Sequence, residues 1–543
     1  MDSLTNNSFL KKDQYLNLII LTIIFLGAAL RLFHYFYDRS LWMDETYLSA
    51  SFSHLSYTDL ATKVLDHQQK APIGFLWLVK LSVNLFGNNE MALRAIPLLS
   101  GIISLFIFAR INRYFLNSVA QIMALAIFSF APAFIYHSVE IKQYSTECLA
   151  TIIALYLFIR YKDSQSWKMK ICWGIWGAVT LWFAYAVIFI LAGIAAGMSL
   201  YDLLRKNWKQ FWINIVPFSI WMISFGLNYI FFTHKHAESE WIVYFFKTYD
   251  NFMPFPPHTL EQLKWFPRNF QAMMDYPLGL VWTNPDFNKG LIFKILNISI
   301  IPAILLFTGI FSISRNQKQL FYVLIFPAAF MLFASGIALY PLIERFWLFI
   351  APIFILFIAF GFQFFEQKIK NKWIIALIFI LITFSSVAQA TYYLFQPQKF
   401  YKHKKSYQRE SLQYINNHFK EGDAVYNYWN NHPGFGVYKV ILPLKFKAIE
   451  GRDYRKESKD LADYNHHLQS DLRKFTAKKR VWLIFNTQFL TDIGDLADDP
   501  KWYYKSKYSP TQNLVREFDK IGKPVDKQVY TDVTIYLFEL DKP

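Results

Sequence analysis

The chain has 543 residues, of which 54% are hydrophobic, 55 are Phe and only 17% are charged. A soluble globular chain of this length needs more charge to cover its surface, so that class is excluded. The net charge of +17 comes without a nucleic-acid motif, and nucleic acid is not an expected partner.

Apolar runs recur across the first three quarters, each long enough to cross ~30 Å of hydrocarbon. Eleven spans are predicted, over 15–36, 92–112, 119–137, 143–160, 171–184, 186–204, 211–232, 291–311, 319–338, 345–364 and 373–394. The stretch 171–204 is divided near Tyr185, because about 34 residues exceed one tilted span. The first run follows Lys11 and Lys12, is too long for a signal-peptide core and lacks a small-residue cleavage site. It is expected to be an uncleaved signal anchor. Cys148 and Cys172 have no metal-ligand spacing and are expected to be packing residues.

With the N-terminus in the cytoplasm, every inside connection is basic. These connections carry Arg110 and Arg113; Arg160, Lys162, Lys168 and Lys170; Arg205, Lys206 and Lys209; Arg315 and Lys318; and Lys368, Lys370 and Lys372. This is the positive-inside bias, and one span more or fewer would invert every later loop. Three large pieces then fall outside: 37–91, 233–290 and 396–543. The predicted organisation is a membrane domain over 1–395, carrying the first two as outer loops, and an extracytoplasmic domain over 396–543.

Within the first loop, 72–86 starts at Pro72 and ends before Gly87, too short to span comfortably, and reads as an interfacial helix. The last piece is polar. Ser411–Phe419 patterns as an amphipathic helix, and Asp423–Tyr428, Arg480–Phe485 and Val533–Leu540 as strands. A small α/β domain is expected.

Ionisable groups at membrane depth or at its edge are costly, so each is a functional candidate. Asp44 and Glu45 are adjacent carboxylates just beyond the first span, following Trp42, which suits the headgroup level. A carboxylate near apolar surface can serve as a general base; on spacing alone a solvated acidic turn is the commoner meaning. Glu140, Lys142 and Tyr144 crowd the short outer turn VEIKQY. Lys142 suits a phosphate with Glu140 orienting it, and a local Glu–Lys pair is equally consistent. Arg345 opens a span after Glu344 and must snorkel, pair with Glu344 or meet an anion. His67 sits in a polar loop, where solvation is the commoner state. His234 and His236 with Glu238 or Glu240 have weak metal-ligand spacing. Glu90 and Arg94 are expected to pair along one helix.

These motifs, in this order, resemble the large multi-spanning glycosyltransferases of the GT-C fold, in particular the protein O-mannosyltransferase and aminoarabinose-transferase-like group. The resemblance runs through LWMDETYLSA, GNNEMALR (Gly87, Glu90, Arg94), VEIKQYS, PLIERFWLFIAP and the C-terminal GDAVYNYWN and RVWLIF, nearly the whole chain. It implies a bacterial inner-membrane enzyme that takes a sugar from a polyprenyl-phosphate donor and passes it, with inversion, to a lipid, glycan or protein acceptor. Asp44 would be the base, with Glu45 beside it. Lys142 and Arg345 would hold the leaving phosphate, and Glu140, Tyr144, Arg94 and His67 would line the site. A divalent metal ion is compatible with the fold, with no ligands assigned. The chain departs from the group at HQQKAP, where His-Pro-Pro is common, and at Lys142, where many relatives carry Arg. The competing function is a flippase or transporter of lipid-linked sugars. Such a protein would place polar groups at the bilayer midplane of repeated halves, whereas here they gather at the outer edge.

Overall fold

The computed structural model describes residues 2–233, 240–281, 299–400, 406–475, 477–489, 495, 500–504 and 509–541. The chain folds as an apolar α-helical bundle followed by a small α/β domain. The bundle and its outer loops run through α1 (Asp2–Phe36), α2 (Met43–His54), α3 (Tyr57–Thr62), α4 (Ile73–Phe86), α5 (Glu90–Phe115), α6 (Ser118–Phe130), α7 (Pro132–Tyr136), α8 (Tyr144–Tyr161) and α9 (Trp167–Phe183). They continue through α10 (Val187–Leu204), α11 (Trp208–Asn228), α12 (Glu240–Thr248), α13 (Leu260–Asp275), α14 (Ile300–Asn316), α15 (Lys318–Gly336), α16 (Ala351–Lys368) and α17 (Lys372–Phe395).

Among the described residues a helix lies at each predicted span. Six are long and apolar enough to cross a membrane, or seven if the pair Ser118–Phe130 and Pro132–Val139, bent by 53°, is one span. At 17 residues, α9 and α14 reach only about 26 Å. The division near Tyr185 is present, since α9 stops at Phe183 and α10 starts at Val187. The 72–86 helix is present as α4. The histidines at 234 and 236, with Glu238, lie outside the described residues.

Burial sorts the helices. On α16, Ile353, Ile355, Leu356, Phe357, Ile358 and Ala359 are all fully buried, so it is the central helix. On α1, Leu21, Phe25 and Phe36 stay exposed, as a lipid-facing helix requires. Close helix crossings depend on glycine: a Cβ on Gly197 of α10 would lie 2.7 Å from the backbone of Tyr322 and Val323 on α15. Gly193 meets Pro327 in the same antiparallel crossing, which carries the end of α10 to the start of α15.

The bend between α6 and α7 has a local cause. Pro132 has no N–H to donate, so carbonyls at the end of α6 lose their partners. The fully buried guanidinium of Arg31 supplies the donors, with Nη1 on the Ser129 carbonyl at 3.1 Å and Nη2 on that of Phe128 at 3.4 Å. The bend turns the chain so that His137–Val139 and the Glu140 turn lie under the outer loops.

The C-terminal domain contains α18 (Gln408–His418), β1 (Ala424–Asn427), α19 (His432–Ile441), β2 (Ile449–Glu450), α20 (Leu461–Leu472), β3 (Arg480–Asn486), α21 (Pro510–Asp519), β4 (Gly522–Val529) and β5 (Val533–Leu540). The sheet order is β2-β1-β3-β5-β4, parallel around β1 and antiparallel around β5. The predicted helix and all three predicted strands are present as α18, β1, β3 and β5. Strand β4 has no counterpart in the sequence reading: its Pro, Lys and Asp residues belong to an exposed edge rather than a buried strand. Alternate residues face opposite layers. Tyr426, Leu483 and Phe538 pack with α20 and α21. Val425, Trp482, Ile484, Ile535 and Leu537 join Leu412, Ile415 and Tyr438 in a core continuous with Leu41, Leu48, Phe52, Phe75 and Val79 of the first outer loop.

Candidate active site

The neighbouring carboxylates Asp44 and Glu45 begin α2, one residue apart, and point to different environments. The Asp44 side chain is 22% exposed, and its Oδ2 accepts from Arg345 Nη1 at 2.5 Å. Glu45 is fully buried. Its Oε1 accepts from Arg94 Nε at 2.9 Å and from the Ile141 backbone N–H at 3.1 Å, and its Oε2 accepts from Arg94 Nη2 at 3.0 Å. Arg39 binds Oε2 as well. Burial alone would raise the Glu45 carboxyl, but Arg39 and Arg94 outweigh it and hold it below its ordinary value. Glu45 and Arg94 therefore form a buried post on which Asp44 stands, in place of the direct contact with reacting groups expected of them.

Arg345 lies on the other side of Asp44. Its guanidinium is 5.7 Å from the ring centre of Tyr144 and 5.8 Å from that of Phe346, so aromatic faces and one carboxylate orient it. The Arg345–Glu344 alternative is replaced by this longer-range pair. Lys142 is 7% exposed, and its ammonium donates to Gln69 Oε1 at 2.6 Å. It makes no ion pair among the described residues. Burial pushes its pKa below the ordinary lysine value, with Asp44 opposing and Arg345 adding to the effect.

Glu140 does not pair with Lys142. Its Oε1 accepts from the Trp42 indole at 3.1 Å and from Tyr136 at 3.3 Å, and its Oε2 meets His137 Nδ1 at 2.6 Å. Trp42 thus points inward to Glu140 instead of outward to headgroups. His137 is fully buried, and its Nε2 bonds the Tyr276 hydroxyl. The sequence carried a signal for His137: an ionisable ring ending an apolar span, three residues before a glutamate. The ring of His67 packs 4.7 Å from that of Tyr47, in the loop whose Gln69 holds Lys142. The Glu90–Arg94 helix pair expected from spacing is not formed. Arg94 goes to Glu45, while Glu90 Oε1 accepts from Arg409 of the C-terminal domain at 3.0 Å.

That domain reaches further into the site's support. Arg409 Nη1 donates to Asp38 Oδ2 at 2.8 Å. The Tyr438 hydroxyl accepts from the Leu41 backbone N–H at 2.7 Å and bonds Ser40 Oγ at 3.0 Å. Segment 38–41, which leads into α2, is therefore clamped from the last quarter of the chain. Beside the site, a cavity of about 930 Å³ is lined by Asn251, Trp265, Arg268, Asp275, Tyr276 and Glu344, so His137 and Arg345 are each one residue from its wall. Among the described residues no three His, Cys, Asp or Glu side chains converge on a metal position, and Asp44 and Glu45 both face cations.

Residues 70–228 match the family model described as dolichyl-phosphate-mannose-protein mannosyltransferase. That segment is similar to the family and makes up less than a third of the chain. It contains Arg94, Glu140, Lys142 and Tyr144, while Asp44 and Arg345 lie on either side of it. The mannosyltransferase-like resemblance read in the motifs is the same one. Among solved structures, the oligosaccharyltransferase of Archaeoglobus fulgidus in its apo form is similar with 11% identity and a TM-score of 0.48, over 86% of this chain and 69% of that one. ArnT from Cupriavidus metallidurans bound to undecaprenyl phosphate is similar with 12% identity and a TM-score of 0.39, over 97% of this chain and 98% of that one. No curated protein matches the chain.

Proposed function

We propose that the chain is an inverting membrane glycosyltransferase. It moves a sugar from a polyprenyl-phosphate donor to an envelope glycan, lipid or protein acceptor at the outer face of a bacterial inner membrane. The N-terminus is cytoplasmic, and the domain over 396–543 lies outside. The observation that carries this reading is the Asp44–Arg345 ion pair, set at the edge of a large cavity and beside a buried Lys142 that has no ion-pair partner among the described residues. The match of residues 70–228 to a family named for a dolichyl-phosphate sugar supports the donor class.

The chemistry follows from these groups. The donor phosphate enters between Lys142 and Arg345, and Arg345 exchanges Asp44 for the phosphate oxygens. The freed carboxylate of Asp44 takes the proton from the acceptor hydroxyl. The hydroxyl oxygen bonds to the anomeric carbon from the face opposite the phosphate, as the bond from that carbon to the phosphate oxygen breaks. Charge gathers on the leaving lipid phosphate, where two fixed cations in a partly desolvated site stabilise it most. Glu45 and Arg94 hold the Trp42 N–H and the Arg39 carbonyl just ahead of Asp44, Glu140 holds Trp42 and His137, and Tyr144 orients Arg345.

The test uses purified wild type and Asp44→Asn. Release of free polyprenyl phosphate is followed from a panel of lipid-phosphate sugars, with cell-envelope extract as acceptor. Release by wild type and not by the folded variant is expected. Equal release would remove Asp44 from the chemistry, and no release with any donor would favour lipid-linked-sugar transport.

A further inference from the structure

The end of the bundle away from Asp44 holds a second cavity, of about 470 Å³. Helix α8 starts at Tyr144 in the candidate site and ends beside this cavity, so about 27 Å of helix separates the two. Lys162, Arg205, Arg315 and Lys318 line it together with Tyr114 and Tyr201, and among the described residues no carboxylate does.

These four cations come from three separate interhelix corners: just after α8, just after α10, and the facing ends of α14 and α15. Their convergence is a product of the fold. The glycine-mediated crossing of α10 on α15 brings Arg205 to Lys318. The backbone of Lys162 is fixed in turn: its carbonyl accepts from Lys170 Nζ at 3.1 Å and from Gln210 Nε2 at 3.0 Å. The nearby carboxylates are directed elsewhere. Asp202 is buried and accepts from Asn214, while Asp163 is exposed, outside the cavity, and pairs with Lys162. Among the described residues Arg205, Arg315 and Lys318 make no ion pair. Arg205 and Arg315 lie over their own helix neighbours Tyr201 and Phe311.

The positive-inside bias explains why such loops are basic, but not why four cations should surround one concavity when, among the described residues, only Lys162 has a counter-ion, the exposed Asp163. Like charges brought together this way repel unless an anion joins them. The position, between helix ends at a membrane boundary, selects an anion that is itself anchored there. We infer that this cavity binds the phosphate-bearing headgroup of an anionic phospholipid in the leaflet opposite the candidate active site. Lys162, Arg205, Arg315 and Lys318 contact the phosphate oxygens, and Tyr114 and Tyr201 lie at the glycerol level.

The experiment is native mass spectrometry of the full chain in detergent, titrated with cardiolipin, with phosphatidylcholine or with inorganic phosphate. The comparison pairs a double variant, Arg205→Gln with Lys318→Gln, against a control, Lys168→Gln with Lys209→Gln. The control residues are exposed cations in the first turns of α9 and α11 that do not line the cavity. Cardiolipin should bind wild type and control alike and phosphatidylcholine much more weakly, and the cavity variant should lose at least about tenfold in affinity. All substituted side chains are exposed, so both variants are expected to fold, which thermal unfolding in detergent checks. Equal cardiolipin binding by the cavity variant, or equal loss in the control, would overturn the site. Displacement of cardiolipin by inorganic phosphate at similar concentration would overturn the lipid assignment. None of these readings depends on sugar transfer.

Discussion

The two ends of the bundle treat positive charge in opposite ways. At the Asp44 end nearly every arginine has a carboxylate: Arg345 on Asp44, Arg39 and Arg94 on Glu45, Arg409 on Asp38 and Glu90. At the other end Arg205, Arg315 and Lys318 have none among the described residues. Paired cations fix a geometry, because a buried charge that loses its partner is expensive. Unpaired cations attract an anion from outside the chain. Lys142 is the exception at the first end, buried but held among the described residues by an amide oxygen alone, and it stands where the donor phosphate is proposed to enter.

The strongest way to break this contrast is to remove a paired group. Asp44→Asn should lower sugar transfer by about 10²–10⁴-fold, measured as release of polyprenyl phosphate, since it removes the proposed base. Glu45→Gln should act on folding first. It strips the counter-charge from two arginines that are buried or nearly so, and about 3–5 kcal/mol of stability should be lost, read as a lower unfolding midpoint in detergent. Lys142→Met should leave stability almost unchanged and reduce transfer by about 10²–10³-fold, because it removes a phosphate cation and breaks no ion pair.

Smaller effects sharpen the comparison at the interdomain contact. Tyr438→Phe strands the Leu41 N–H and should cost about 1–3 kcal/mol, with transfer falling in step, because the segment bearing Asp44 loosens. Asp532, whose Oδ1 accepts from the Tyr407 N–H at 2.9 Å, has its pKa pushed up to about 6 by burial, against hydrogen bonds from Ser406 and Tyr407. The folded state therefore binds this proton more tightly than the unfolded state does. Its contribution should grow as pH falls from about 7 towards 5, by about 1 kcal/mol, and shrink again as pH rises through 6. In Asp532→Asn that pH dependence of the unfolding midpoint should vanish.

The fold was legible where apolarity and periodicity speak locally. The span positions, the break near Tyr185, α4, α18 and three strands all follow from short windows of sequence. Strand β4 was not legible, because its pattern is that of an edge facing water. The candidate site was legible as a set of residues but not as a set of partners. Arg345 and Asp44 are 301 positions apart, and Arg409 and Glu90 are 319 apart. Spacing suggested Glu90 with Arg94 and Glu140 with Lys142, and in both cases a distant or buried partner replaced the near one. Arg31 was the clearest missed clue, a cation inside the first span whose meaning depends on Pro132 about a hundred residues later.

The clamp on segment 38–41 also sets an order in time. Leu41 and the Tyr438 hydroxyl that receives its N–H are separated by 397 residues. At about 5–20 residues per second, a ribosome needs about 20–80 s to cover that interval. For all of it, the loop leading to Asp44 has its contacts with Arg94 and Glu45 but lacks the two hydrogen bonds to Tyr438. The segment that matches the family model ends at residue 228, yet the loop beside it must wait for most of the chain to be made. A chain stalled short of Tyr438 would carry every residue of the proposed chemistry and still lack the hydroxyl that receives the Leu41 N–H ahead of Asp44.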